Sequence, residues 1–325
     1  MELHDLQTLL RGLPPAIAHA YYPGREDAWM LAHRMPGDAR IADLRRAGLG
    51  KLLDRPLLRP VVAGCGGTLR LRDMLALGYA GHALGWEGLS PAAQRALNDI
   101  YAAPWLDFEL GFAAWGNAEG FYWHQTSRPG YNLVVQLGFP SDHAALMGRY
   151  LPAGGRIRHK FEFIAHPVRR QGRPTLAWAR IDFDPASNTA LIEEVQSDWL
   201  RYVRENAEEL GRTQPRTREA RAAKEYETAL RARYEKLWPR VMLLAAVELL
   251  RDQIGCAEIY MHRPEPGAVL KSIHGTRPPR SIYSDLPKSF GFAPTRHIPG
   301  FLGRRHRELR RACGRDVPLF WRLRF

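Results

Sequence analysis

Apolar residues recur three and four positions apart through the first third of the chain, a spacing that predicts helices. Leu3, Leu6, Leu9 and Leu10 form one such stripe, stopped by Pro14 and Pro15. Further helices are predicted over 39–53, 71–84 and 91–101, the last opened by Ser90 as a cap and Pro91 in the first turn. Gly64, Gly66 and Gly67 around Cys65 predict a turn without the order or the lysine of a phosphate-binding loop. At Tyr131 the period changes to two. Strands are predicted over 131–139, 157–165, 175–183 and 190–196, with a short helix over 141–150 capped by Ser141 or Asp142. Turn residues between the last three runs predict an antiparallel meander. Beyond Asp198 the pattern is helical, and 237–254 reads as a buried helix ended by Gly255. A strand over 256–262, short helices near 268–274 and 304–313, and a last strand over 317–325 complete the chain. The fold class expected is α/β in the α+β sense. A mostly helical region, 1–124, leads into an α/β domain, 125–325, with a mixed, mainly antiparallel sheet and a charged helical insertion at about 204–236.

One stretch concentrates polar side chains at a strand end: Leu191-Ile192-Glu193-Glu194-Val195-Gln196-Ser197-Asp198-Trp199. Strand alternation would put Glu194, Gln196 and Asp198 on one face and Glu193 with Val195 and Ser197 on the other. Carboxylates are rarely buried unless paired, so the cluster needs a partner or a task. In a catalytic reading, the proximity of Glu194 and Asp198 pushes their pKa values apart, one serving as general base, with Gln196 holding a substrate carbonyl or amide. His159 or His166 from a neighbouring strand would complete the proton relay. Glu193, Trp199, Arg180 and His124 are the further candidates for lining a substrate cleft. In the structural reading Glu194 and Asp198 pair with Arg158, Arg180 or Arg201, and Asp198 caps the next helix. No metal-ligand spacing is present.

Composition adds a direction. A net charge of +13 favours nucleic acid or another anionic partner, or reflects only an arginine-rich, soluble surface. The aromatic run from Trp105 to Trp123 offers either stacking surfaces or core. Three scattered cysteines give no disulfide framework, so a cytoplasmic setting is expected. No stretch of about 18 apolar residues is present and no membrane role is expected.

The 191–199 segment resembles the EEIQSDWHQ signature of domains in large polyvalent proteins of phages and mobile elements, with Leu200-Arg201 in place of the final His-Gln. The order of elements after 125 is similar to that of the GNAT acyltransferases, and 282–292 resembles their terminal tyrosine and Gly-Phe stretch. That second resemblance implies a transferase in which Tyr283 protonates a leaving thiolate and acyl-CoA is the donor. The turn that would take the donor's pyrophosphate is here Gln196-Ser197-Asp198-Trp199. It has no glycine, and Asp198 opposes anion capture at a helix start, so the cofactor stays open. Two functions follow: a diverged, GNAT-like transferase acting on nucleic acid or protein, or a non-catalytic basic module binding nucleic acid.

Overall fold

In the computed structural model, the structure describes every residue except 80–84, 118, 120–122, 152–160, 162–165, 169–171, 274–278 and 315, and the side chain of residue 306. The predicted strand over 157–165, and His159 with it, falls outside the described residues, Phe161 apart.

The strands are β1 (Ile17–Tyr21), β2 (Ala39–Arg40), β3 (Thr68–Leu69), β4 (Leu106–Asn117), β5 (Gly130–Gly138), β6 (Thr175–Asp184), β7 (Thr189–Gln196), β8 (Glu258–His262), β9 (Ala293–Thr295) and β10 (Phe320–Arg324). Eight of them form one mixed sheet in the order β1-β4-β5-β6-β7-β8-β10-β9, while β2 and β3 pair alone. From β4 to β7 the pairing is antiparallel, β7 and β8 run parallel, and β10 lies antiparallel between β8 and β9. This is the expected mixed, mainly antiparallel α+β sheet. β5 pairs directly with β6, so these two strands are neighbours in the sheet, and the strand expected over 157–165 lies, Phe161 apart, outside the described residues.

Near-continuous apolar runs explain why β5 to β7 sit at the centre. Leu133, Val134, Val135, Leu137, Leu176, Ala177, Ala179, Ile181, Leu191 and Ile192 are all fully buried, as central strands covered on both faces must be. The Trp238–Glu248 helix, apolar on nearly every side, packs on β6 and β7.

The chain divides into two compact units, one of residues 1–19 and 108–324 and one of residues 20–107 with Phe325. The smaller is built on the Arg25–Ala32 and Leu71–Gly78 helices. Gly78 permits their close approach, since a Cβ there would stand 2.8 Å from Trp29 Cα. Arg25, buried, donates from Nε to Gly78 O at 2.8 Å and from Nη1 to Ala20 O at 2.6 Å. The helix predicted over 39–53 is broken into Ile41–Arg46 and Gly50–Leu53 around Gly48, whose φ is +81°. Ser90 caps its helix as expected, accepting from Ala93 N at 3.2 Å.

Candidate functional site

β7 and β8 pair only as far as Ile192 and Met261. Just beyond, a cavity of about 550 Å³ is lined by Glu194, Val195, Gln196 and Ser197 from the end of β7, and by His262 at the end of β8. The opposite side is supplied by two segments wound with wide, five-residue turns, Arg231–Glu235 and Ser281–Asp285, which bring in Arg231, Glu235, Ile282 and Tyr283. Arg201, Arg204 and Arg263 stand around it, and Leu200, Trp238, Ile273 and Pro279 give it an apolar wall. Cationic groups outnumber acidic ones, which favours an anionic occupant.

The floor depends on one inserted residue. Arg180 pairs with Glu194 and Ile181 with Ile192, so Glu193 is a bulge with no partner across the ladder. The expected alternation, with Glu193 and Glu194 on opposite faces, fails for this reason. Both carboxylates approach Lys271, whose Nζ is 3.8 Å from Glu193 Oε2 and 4.0 Å from Glu194 Oε2 and donates to Glu193 O.

Glu193 is completely buried beneath the cavity. It accepts from Ser127 N at 3.0 Å, from Ser127 Oγ at 2.7 Å and from His262 Nε2 at 2.9 Å. Burial opposes its charge, but the His262 hydrogen bond and the charge of Lys271 hold its pKa below the carboxylate range. Burial also lowers the pKa of His262, leaving it neutral near pH 7 with Nε2–H as donor. Its Nδ1 is buried without a hydrogen-bond partner. The close packing of the Pro264–Leu270 helix on His262 needs Gly267, where a Cβ would meet His262 Cβ at 3.0 Å. Ser127, Glu193 and His262 do not form a nucleophilic triad, because serine and carboxylate share the same imidazole nitrogen.

Glu194 is clamped by Arg180, which also donates to His124 O and to Gln125 O. Burial opposes the charge of Glu194, and Arg180 and Lys271 more than offset it, so its pKa is lowered. Asp198 is held by Trp178 Nε1 at 2.9 Å, His166 Nδ1 at 2.9 Å, Gln196 Nε2 at 2.5 Å and Arg201 Nη2 at 2.6 Å. Its pKa is likewise lowered, because these partners outweigh burial. The expected divergence of Glu194 and Asp198 into a base and an orienter is therefore corrected. Each carboxylate has its own cations, and both are held ionised.

The helix cap is corrected too. Ser197, not Asp198, caps the Asp198–Thr213 helix, its Oγ accepting from Leu200 N at 3.4 Å. Tyr283 sits in the cavity wall, buried, with its Oη accepting from Val195 N at 3.3 Å. Burial pushes the phenol pKa up, so it keeps its proton.

Of the expected site residues, Glu194, Gln196 and Tyr283 line the cavity. Glu193 and Arg180 lie beneath it, and His166 and Asp198 form a pair beside it. His124 contributes its carbonyl oxygen to the Arg180 clamp. Trp199 belongs to the core, donating to Tyr226 Oη at 3.1 Å and packing on Phe139 and Phe161. Ser127, His262 and Lys271 were not expected. A signal for Lys271 does exist in the sequence: it is one of only six lysines among 47 basic residues.

Among the described residues no group of three His, Cys, Asp or Glu is placed to hold a metal ion, and no helix is long and apolar enough to cross a membrane. Compared with family models, with curated proteins and with solved structures, the chain finds no match in any of the three.

Proposed function

We propose that the larger unit is a transferase-type enzyme of diverged, GNAT-like design, moving a group from an anionic donor bound in the cavity to a nucleic-acid or protein acceptor. The observation that carries this reading is the setting of Tyr283. Its oxygen accepts from Val195 N, its proton is retained by burial, and its hydroxyl lies in the wall of a hollow opened by two diverging parallel strands. A phenol so held can donate to a leaving group. The sheet order, with β10 inserted between β8 and β9, supports the same reading. Because Ser197 and Asp198 occupy the helix start, the donor's anionic part is assigned to Arg201, Arg204, Arg231 and Arg263 instead.

The test is native mass spectrometry of protein purified from its own host, followed by turnover of whatever small molecule it retains. The Arg204→Ala/Arg263→Ala form is expected to lose that molecule. Tyr283→Phe is expected to keep it but to slow transfer by roughly 10²–10⁴-fold, the usual contribution of a general acid. Retention of nucleic acid alone, equal in wild type, Glu194→Gln and Asp198→Asn, would replace the enzyme with the non-catalytic basic module.

A further inference from the structure

We propose that Lys271 is a covalent attachment point, forming an imine with an anionic aldehyde or ketone bound in the cavity. The inference rests on the reading above only in taking the cavity as a ligand site, and does not require transfer chemistry.

The first observation is residue usage. The chain carries forty-one arginines and six lysines. Lys51, Lys224, Lys236 and Lys288 are all exposed, and Lys160 is outside the described residues. Lys271 is 5 % exposed and lines the cavity. Where this chain needs a buried cation as a clamp it uses arginine, as Arg180 shows a few ångströms away on the same Glu194. An amine can lose its proton and a guanidinium cannot, so lysine at 271 supplies a property that arginine lacks.

The second observation is the local chemistry. Burial disfavours the ammonium, and the charge of Arg180 opposes it further, while Glu194 and Glu193 act the other way; the balance lowers the Lys271 pKa. Glu194 Oε2 at 4.0 Å and the Tyr283 hydroxyl in the same cavity wall are the groups able to move protons during attack. The neutral amine nitrogen attacks the carbonyl carbon, and Tyr283 protonates the oxygen while Glu194 takes up a proton from nitrogen. Both amine hydrogens end on the former carbonyl oxygen, which leaves as water, and a carbon–nitrogen double bond replaces the carbon–oxygen one. No oxidant or reductant is needed. The arginines around the cavity select a carbonyl compound that carries phosphate or carboxylate.

The experiment uses the full chain and pyridoxal 5′-phosphate as a phosphorylated aldehyde probe, at less than one equivalent near neutral pH, trapped with borohydride and mapped by peptide mass spectrometry. An uncharged amine attacks a carbonyl where an ammonium cannot, and the arginines hold the probe's phosphate beside it, so Lys271 is expected to take label about tenfold over each of Lys51, Lys224, Lys236 and Lys288. The preference should vanish when the chain is labelled unfolded in urea, which needs no variant. It should weaken in Arg204→Ala/Arg263→Ala and with dephosphorylated pyridoxal, and no label should appear at position 271 in Lys271→Arg. Label spread over the exposed lysines with Lys271 spared overturns the proposal, as does labelling of Lys271 indifferent to the phosphate. Failure here, with a retained ligand still lost from the Arg204→Ala/Arg263→Ala form, leaves the transferase reading standing; the reverse result removes that reading and keeps this one.

Discussion

At Glu193 and Glu194 the two-residue period of a strand stops predicting where side chains go. Two residues of β7 stand where β6 offers one, and both carboxylates turn toward Lys271 instead of parting. The partners that make the burial tolerable come from Ser127, His262 and Lys271, which lie 66, 69 and 78 residues away along the chain. A second buried histidine has a measurable consequence. His143 stacks on Phe139 at 3.5 Å, and its Nε2 lies 3.2 Å from Tyr226 Oη, itself the acceptor for Trp199 Nε1. Burial, helped by the charge of Arg233 and opposed by Asp142, lowers its pKa from 6.5 to about 3. Between those values the unfolded chain takes up a proton that the native protein refuses, so this group makes stability fall as pH falls through that window. The slope from His143 alone is at most about 1.4 kcal/mol per pH unit. Urea unfolding of wild type against His143→Gln between those pH values should show the variant losing less stability per unit of acid. Equal slopes would exclude the assignment.

At the scale of elements, the charged stretch over 204–236 is where expectation and structure part most clearly. The charge density suggests a solvated insertion, yet the Arg218–Leu230 helix packs along the Asp198–Thr213 helix and buries Ala220, Ala223, Tyr226 and Leu230. Sparse but regularly spaced apolar residues suffice, because tyrosine covers a large area and arginine carries its charge away from the stem. Tyr226→Ala is expected to cost about 3–5 kcal/mol of unfolding free energy, against about 0.5 kcal/mol or less for the exposed Arg221→Ala. Chemical denaturation of the two variants reads the difference, and a Tyr226→Ala form as stable as wild type would restore the solvated insertion. β4 does carry a strand signal, since Leu106, Phe108, Leu110 and Phe112 alternate with Asp107, Glu109 and Gly111, but it falls in the region expected to be mostly helical, where the aromatic run reads as stacking surface or core. Its pairing with β5 over Glu109 to Asn117 is a long-range contact that no local pattern announces.

Over the whole molecule, a charge of +13 acts at a distance while the cavity acts by contact, and salt separates the two. Under the proposed reading with a nucleic-acid acceptor, binding to mixed-sequence DNA should weaken linearly in log–log terms as salt rises. The Arg204→Ala/Arg263→Ala form should change that slope by no more than about 2, one for each charge removed, while abolishing retention of a cavity ligand. Loss of both together, measured by fluorescence anisotropy across a salt series and by native mass spectrometry, would make cavity and nucleic-acid surface one site. The central strands over 131–139, 175–183 and 190–196, the buried helix over 237–254 and the polar strand end at 193–198 could be read from the chain, because periodicity and burial are local demands of the backbone. The bulge, the neutral His262 and the lysine lining the cavity were decided only by folding. Their properties depend on distances between residues far apart in sequence and on the water that packing removes from around them.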